Sequence, residues 1–227
     1  MDGNEKPLHE REAFQLERVI LFTDAVFAIA ITLLAIELKV PELHHATEHA
    51  ALSGLLQLTG QFIGFLISFF IIAVYWVAHH RIFRFVVRTS PRMLWLNIVF
   101  LLSIVLMPFT TAYQSEYPML RTPWVLYSLN IIFSGLMQAR MQAYLRSPAA
   151  GVVAPAEQQH PDLDPLRPLL SPLVFLLSIG LAFLPFWHPS LLRPVPMLTV
   201  VCMVLYGRRY RRLEREYQQQ ELQAQAA

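Results

Sequence analysis

Six apolar stretches, separated by polar or proline-rich segments, set the reading of this chain. A helix needs about 20 predominantly apolar residues to cross about 30 Å of hydrocarbon. The pattern predicts spans at about 14–38, 52–78, 93–113, 123–145, 166–187 and 191–206. Prolines gather at the predicted ends (Pro41, Pro91, Pro118, Pro123, Pro165, Pro168 and Pro189), where helices start and stop. Pro108 and Pro185 fall inside spans and predict kinks, which membrane helices tolerate where neighbours re-satisfy the freed carbonyls. The fourth span carries Asn130, Gln138 and Arg140 in or near it. Only Trp187-His188-Pro189-Ser190 separates the fifth from the sixth, which predicts a helical hairpin. The Pro- and Ala-rich linker from Ser147 to Pro165 predicts a flexible loop. The tail from Gly207 begins basic, ends Gln-rich and predicts a fraying surface helix. The expected fold is therefore all-α and polytopic: a short N-terminus (1–13), a six-helix transmembrane domain (14–210) and a basic, Gln-rich tail (211–227).

Composition strengthens this reading. Apolar residues make up 55% of the chain and charged residues 15%, against about 25% charged in soluble domains. The polar, mixed-charge start (MDGNEKPLHERE) lacks the apolar core and cleavage site of a secretory signal, so the first apolar segment is expected to persist as a span. The single cysteine, Cys202, excludes an intrachain disulfide and a cysteine metal site. The net charge of +2 conceals a strong asymmetry. With the N-terminus inside, fifteen Lys and Arg residues fall on inner segments and three (Lys39, Arg121, Arg193) on outer loops. That bias matches the positive-inside rule and places both termini in the cytoplasm. Beside a span, the basic tail suits anionic lipid headgroups better than nucleic acid.

The first span is chemically unlike the others. It reads RVILFTDAVFAIAITLLAIEL, with Asp24 inside an apolar run. A carboxylate at membrane depth costs about 2.5–3.5 kcal/mol on insertion scales and must face protein or water, with a partner. Arg18, six residues back, lies about 240° around the helix, so the partner should come from another segment. Trp76, His79 and His80 at the inner end of the second span and Asn97 in the third lie at the same depth. Such a network could lock the first helix in place or take part directly in ion or proton movement. About 140° from Asp24, Ile29, Thr32, Leu33 and Ile36 form one stripe with Ala25. An apolar stripe can face lipid, pack, or gate a pore by dewetting, and periodicity does not choose among these. His44, His45, Glu48 and His49 cluster in the first outer loop and read as solvated rather than metal-binding. No phosphate loop, zinc-protease pattern or nucleophile elbow appears, so neither enzymatic chemistry nor a cofactor is expected.

Arg18-Val-Ile-Leu-Phe22-Thr23-Asp24 resembles the signature of the transmembrane protein 175 family, an Arg, three residues, then Phe-Ser-Asp, with Thr23 in place of Ser. Trp76-Val-Ala-His79-His80-Arg-Ile-Phe83 is similar to that family's second-helix end. Trp95-Leu-Asn97-Ile-Val-Phe-Leu-Leu, Pro108-Phe109 and Glu116-Tyr117-Pro118 are similar to its third helix and following loop. The resemblance runs from about Arg18 to Pro118 and implies a potassium-permeable leak channel in a prokaryotic plasma membrane. Chains of this length are similar to one half of the longer animal protein. It further implies a homotetramer with K⁺ as the permeant ion and a pore lined by four first helices, without a TVGYG filter loop. Ile29 would form the narrowest apolar ring, Leu33 and Ile36 would extend it, and Thr32 would aid selectivity. Arg18, Phe22, Thr23, Asp24, Trp76, His79, His80 and Asn97 would form the supporting network. The competing expectation is a proton-conducting or proton-coupled transporter using Asp24, His79 and His80 as a relay.

Overall fold

The computed structural model describes residues 8–43, 45–184 and 195–226. Seven α-helices fill them: α1 (Leu8–Ile36), α2 (Glu48–Gln57), α3 (Thr59–Phe83), α4 (Pro91–Glu116), α5 (Arg121–Leu145), α6 (Leu166–Ala182) and α7 (Val195–Ala226). Four segments among them are long and apolar enough to cross a membrane: Arg11–Ile36, Thr59–Phe83, Pro91–Glu116 and Pro161–Ala182. Helix α4 is the hub and packs against α1, α3 and α5; α5 in turn packs on α6, and α6 on α7.

Several sequence expectations change. The predicted second span, 52–78, is two helices, broken at Leu58. There the chain tightens, with the Leu58 N–H bonded to Leu55 O, and the Thr59 hydroxyl donates to Leu56 O at 2.6 Å. α2 starts on a Thr47 cap, whose side chain accepts from Ala50 N–H. Helix α7 runs unbroken from the predicted sixth span into the basic tail. Pro108 lies within α4, which continues through it to Glu116. Pro185, His44 and the Trp187–Ser190 turn lie outside the described residues.

Four polar residues of α5, Asn130, Ser134, Gln138 and Gln142, face inward. Asn130 donates to Ser103 O at 3.0 Å, Ser134 donates to Ser103 Oγ at 2.8 Å, and Gln138 and Gln142 are buried. Interhelical contacts of this kind hold membrane helices together where hydrophobic driving force between them is absent. Gly135 sets the α5–α6 spacing. A methyl group there would lie 2.8 Å from the Pro168 carbonyl oxygen and closer still to the Pro172 ring.

The linker expected to be a flexible loop is folded. Three short 3-10 turns (Pro148–Ala150, Pro155–Glu157, Pro161–Leu163) carry Val152, Val153 and Leu163 into the core. Val153 bridges Val86, and Val87 N–H bonds Val152 O at 2.9 Å. Asp162 and Asp164 are each 5% exposed. Asp162 accepts from an Arg84 guanidinium and from Tyr210 O–H at 3.0 Å, with Arg81 at 3.7 Å. Asp164 accepts from Tyr206 O–H at 2.6 Å and lies 3.5 Å from Arg209. Buried carboxylates must be paired, and these are paired by arginines and tyrosines of α3 and α7. The Pro and Ala composition suggested looseness; two charges override it.

Candidate functional site

Helix α1 has two sides. Thr23, Phe27, Ala30 and Leu34, spaced four, three and four apart, are buried against α3 and α4. The opposite side is uncovered: Ile29 is 58% exposed, Leu33 37% and Ile36 70%, and Thr32 is exposed between them. The Thr32 hydroxyl donates to Ile29 O at 2.8 Å.

Hydrogen bonds join α1 to α3 and α4. Trp76 Nε1–H donates to Asp24 Oδ1 at 2.8 Å. His79 Nε2 and Asn97 Oδ1 are 2.8 Å apart, and Asn97 Nδ2–H donates to Thr23 Oγ1 at 2.8 Å. The Thr23 hydroxyl then donates to Val19 O at 2.8 Å. Because Asn97 Oδ1 only accepts, His79 carries its proton on Nε2. The series is therefore directional, from imidazole through amide and hydroxyl to a backbone carbonyl. Threonine serves here as serine would, since only the hydroxyl bonds.

His79 is enclosed by aromatic rings. Phe83 stacks on it at 4.0 Å between centroids, Phe100 at 5.7 Å, and Phe27 lies at 6.1 Å. His80 points elsewhere and stacks on Trp76 at 5.8 Å. The structure thus brings together Thr23, Asp24, Trp76, His79 and Asn97, with His80 at the margin. Asp24 bonds the indole and neither histidine. Arg18 is exposed, makes no hydrogen bond to this group, and sits 6.0 Å from the Phe14 ring. Phe22 is exposed on the uncovered side.

The carboxylates at the C-terminal end of α3 were not foreseen from the sequence. Arg81, in the last turn of α3, and Arg84, its C-cap, grip Asp162. The signal was the His160-Pro-Asp-Leu-Asp-Pro165 run, in which two acids sit between prolines. A second polar cluster, Ser68–Tyr127 at 3.1 Å with Thr111 at 2.7 Å from Ser68, was also missed. Among the described residues no group of three or more His, Cys, Asp or Glu could hold a metal ion.

Residues 18–108 match the family described as endosomal/lysosomal potassium channel TMEM175. A potassium channel of Chamaesiphon minutus is 33% identical over 180 residues, covering 78% of this chain and 88% of that protein. The human endosomal/lysosomal proton channel TMEM175 is 25% identical over 128 residues, which is 56% of this chain and 25% of the human one. The crystal structure of a lysosomal potassium-selective channel TMEM175 homolog from Chamaesiphon minutus superposes with a TM-score of 0.69 at 30% identity, covering 84% of this chain and 97% of that one.

Proposed function

Because this chain belongs to the TMEM175 family of ion channels, we propose that it is a potassium-permeable leak channel: a homotetramer of six-span subunits, both termini cytoplasmic, in a prokaryotic plasma membrane. The observation that carries this reading is the two-sided first helix. One side is locked to α3 and α4, while a membrane-length apolar side bearing Ile29, Leu33 and Ile36 is left uncovered by its own subunit. Four such helices around an axis would give an apolar ring at Ile29, extended by Leu33 and Ile36. Thr32 has already committed its proton to Ile29 O, so its oxygen lone pairs remain for a dehydrated cation. The hydrogen-bonded group of Thr23, Asp24, Trp76, His79 and Asn97 would fix the helix's rotation, and so the ring's diameter. Arg18 and Phe22 would act at subunit contacts.

The test is cation flux into liposomes holding the purified protein under opposed potassium and sodium gradients. We expect a current reversing toward the potassium potential, and a higher conductance in Ile29→Asn as the ring wets. A folded Ile29→Asn protein with unchanged flux removes Ile29 from the constriction.

The second reading, proton conduction through Asp24, His79 and His80, is favoured by the name of the human relative. The geometry gives it less support, because His79 is spoken for by Asn97 and hydrogen-bonds neither Asp24 nor His80. Flux that follows only the proton gradient, and that a His79 substitution abolishes without loss of assembly, would put this reading first.

A further inference from the structure

Two arginines at the inner end of the bundle have no carboxylate beside them among the described residues. Arg92, in the first turn of α4, and Arg140, five residues before the end of α5, line a cavity of about 420 Å³ with Leu96, Tyr144 and Ser147. Neither guanidinium has a carboxylate within salt-bridge distance among the described residues, whereas Arg81, Arg84, Arg209 and Arg212 each have one. Arg92 lies 5.3 Å over the Tyr144 ring, and the Tyr144 hydroxyl is held by Ser90 Oγ at 3.0 Å, so this wall is fixed. Guanidinium groups offer forked donors that match phosphate oxygens.

What lies beyond the cavity decides the class of ligand. From Arg140, the residues four, seven and eleven positions back are Leu136, Phe133 and Leu129, all exposed. At 100° per residue they share Arg140's face of α5. Trp95, one turn from Arg92, is 67% exposed. An arginine-lined cavity thus opens onto an apolar stripe running toward the membrane centre. A free anion would use the first feature and leave the second without purpose; a phospholipid uses both.

We propose that this cavity binds an anionic phospholipid of the inner leaflet, its headgroup phosphate between Arg92 and Arg140 and an acyl chain along Leu136, Phe133 and Leu129. The inference rests on the membrane orientation proposed above and not on conduction. Its tests read binding and its failure is separable: a conducting protein without lipid preference sinks the site alone, and a lipid-selective protein without current sinks the channel reading alone.

Native mass spectrometry of the purified full chain, offered phosphatidylglycerol and phosphatidylcholine in equal amounts, should show selective retention of phosphatidylglycerol. Arg92→Gln with Arg140→Gln should reduce that retention by about tenfold, while Arg211→Gln with Arg215→Gln in the tail should leave it unchanged. Equal retention in the cavity variant, loss that follows the tail pair instead, or displacement by excess inorganic phosphate each overturns the proposal. Should the cavity variant fail to fold, acyl-brominated lipids give the answer in the unaltered chain. Brominated phosphatidylglycerol should quench tryptophan fluorescence more than brominated phosphatidylcholine, with the excess lost in Trp95→Phe. Equal quenching by the two lipids overturns the site.

Discussion

Asp24 and Asp162 both bond side chains on or beside α3, yet they are held in opposite ways. Asp162 is surrounded: Arg84, Arg81, Tyr210 and His160 all approach it, and it is almost fully buried. Asp24 is half-buried and has one neutral donor, the Trp76 indole. A buried charge with several cationic partners makes a clamp, which is costly to break and costly to move. A carboxylate in an apolar helix with a single neutral partner is held weakly enough to respond to its surroundings. The two sites lie at either end of one stretch of α3, joined by Trp76, His79, Arg81 and Arg84. Strength is placed where the linker must be anchored, and latitude where the first helix meets its neighbours.

That contrast can be broken at its strong end first. Asp162→Ala should cost about 3 kcal/mol, near the lower end for breaking a buried pair because its arginines are partly exposed. A detergent unfolding titration checks this, and a loss below about 1 kcal/mol would mean that the clamp carries little. Next, Asn97→Leu removes the acceptor for His79 and the donor to Thr23 and should cost about 2 kcal/mol. The same titration reads it, and an unchanged midpoint would mean that the group does not hold α1. Trp76→Phe leaves Asp24 without its donor and should cost about 1 kcal/mol. A loss as large as that of Asp162→Ala would erase the distinction between the sites.

The smallest effect is a pH dependence at the clamp. Burial holds the His160 imidazole below its ordinary value; the Asp162 carboxylate pulls the other way and the Arg84 guanidinium adds to the drop. His160 Nδ1 accepts the Asp162 N–H at 3.1 Å, which requires that nitrogen unprotonated. The folded state therefore binds this proton less readily than the unfolded chain. Stability should be full above the ordinary histidine value of about 6.5 and fall as pH drops through the lowered one. His160→Gln should flatten that slope in melts across pH 5–8. Tyr210, pushed up to about 12 by burial and by Asp162, stays a hydroxyl donor throughout this range.

The helical framework was legible because hydropathy over some 20 residues is a strong, local signal. So was the need of Asp24 for a partner, since a charge in an apolar run cannot be left alone. Which partner it takes was not legible. Trp76, His79 and Asn97 share a depth, and only the azimuth of each helix decides that the indole reaches Asp24 while His79 reaches Asn97. The break at Leu58 left no trace, because it lies between apolar neighbours and rests on backbone turns. The folded linker was hidden for another reason. Its anchors, Arg84 and Tyr210, are 78 and 48 positions from Asp162, and the arginines there had weight only as a sign of sidedness.

Three tyrosines of α7 meet the linker in sequence: Tyr206 on Asp164, Tyr210 on Asp162 and Tyr217 on the Ala156 carbonyl at 3.1 Å. At 100° per residue they fall within an arc of about 40°, like teeth on one edge of a key. Sliding the helix by one residue would swing all three away by about 100° together. The three contacts thus share one helix register, and together they fix the position of α7 against the base of α3.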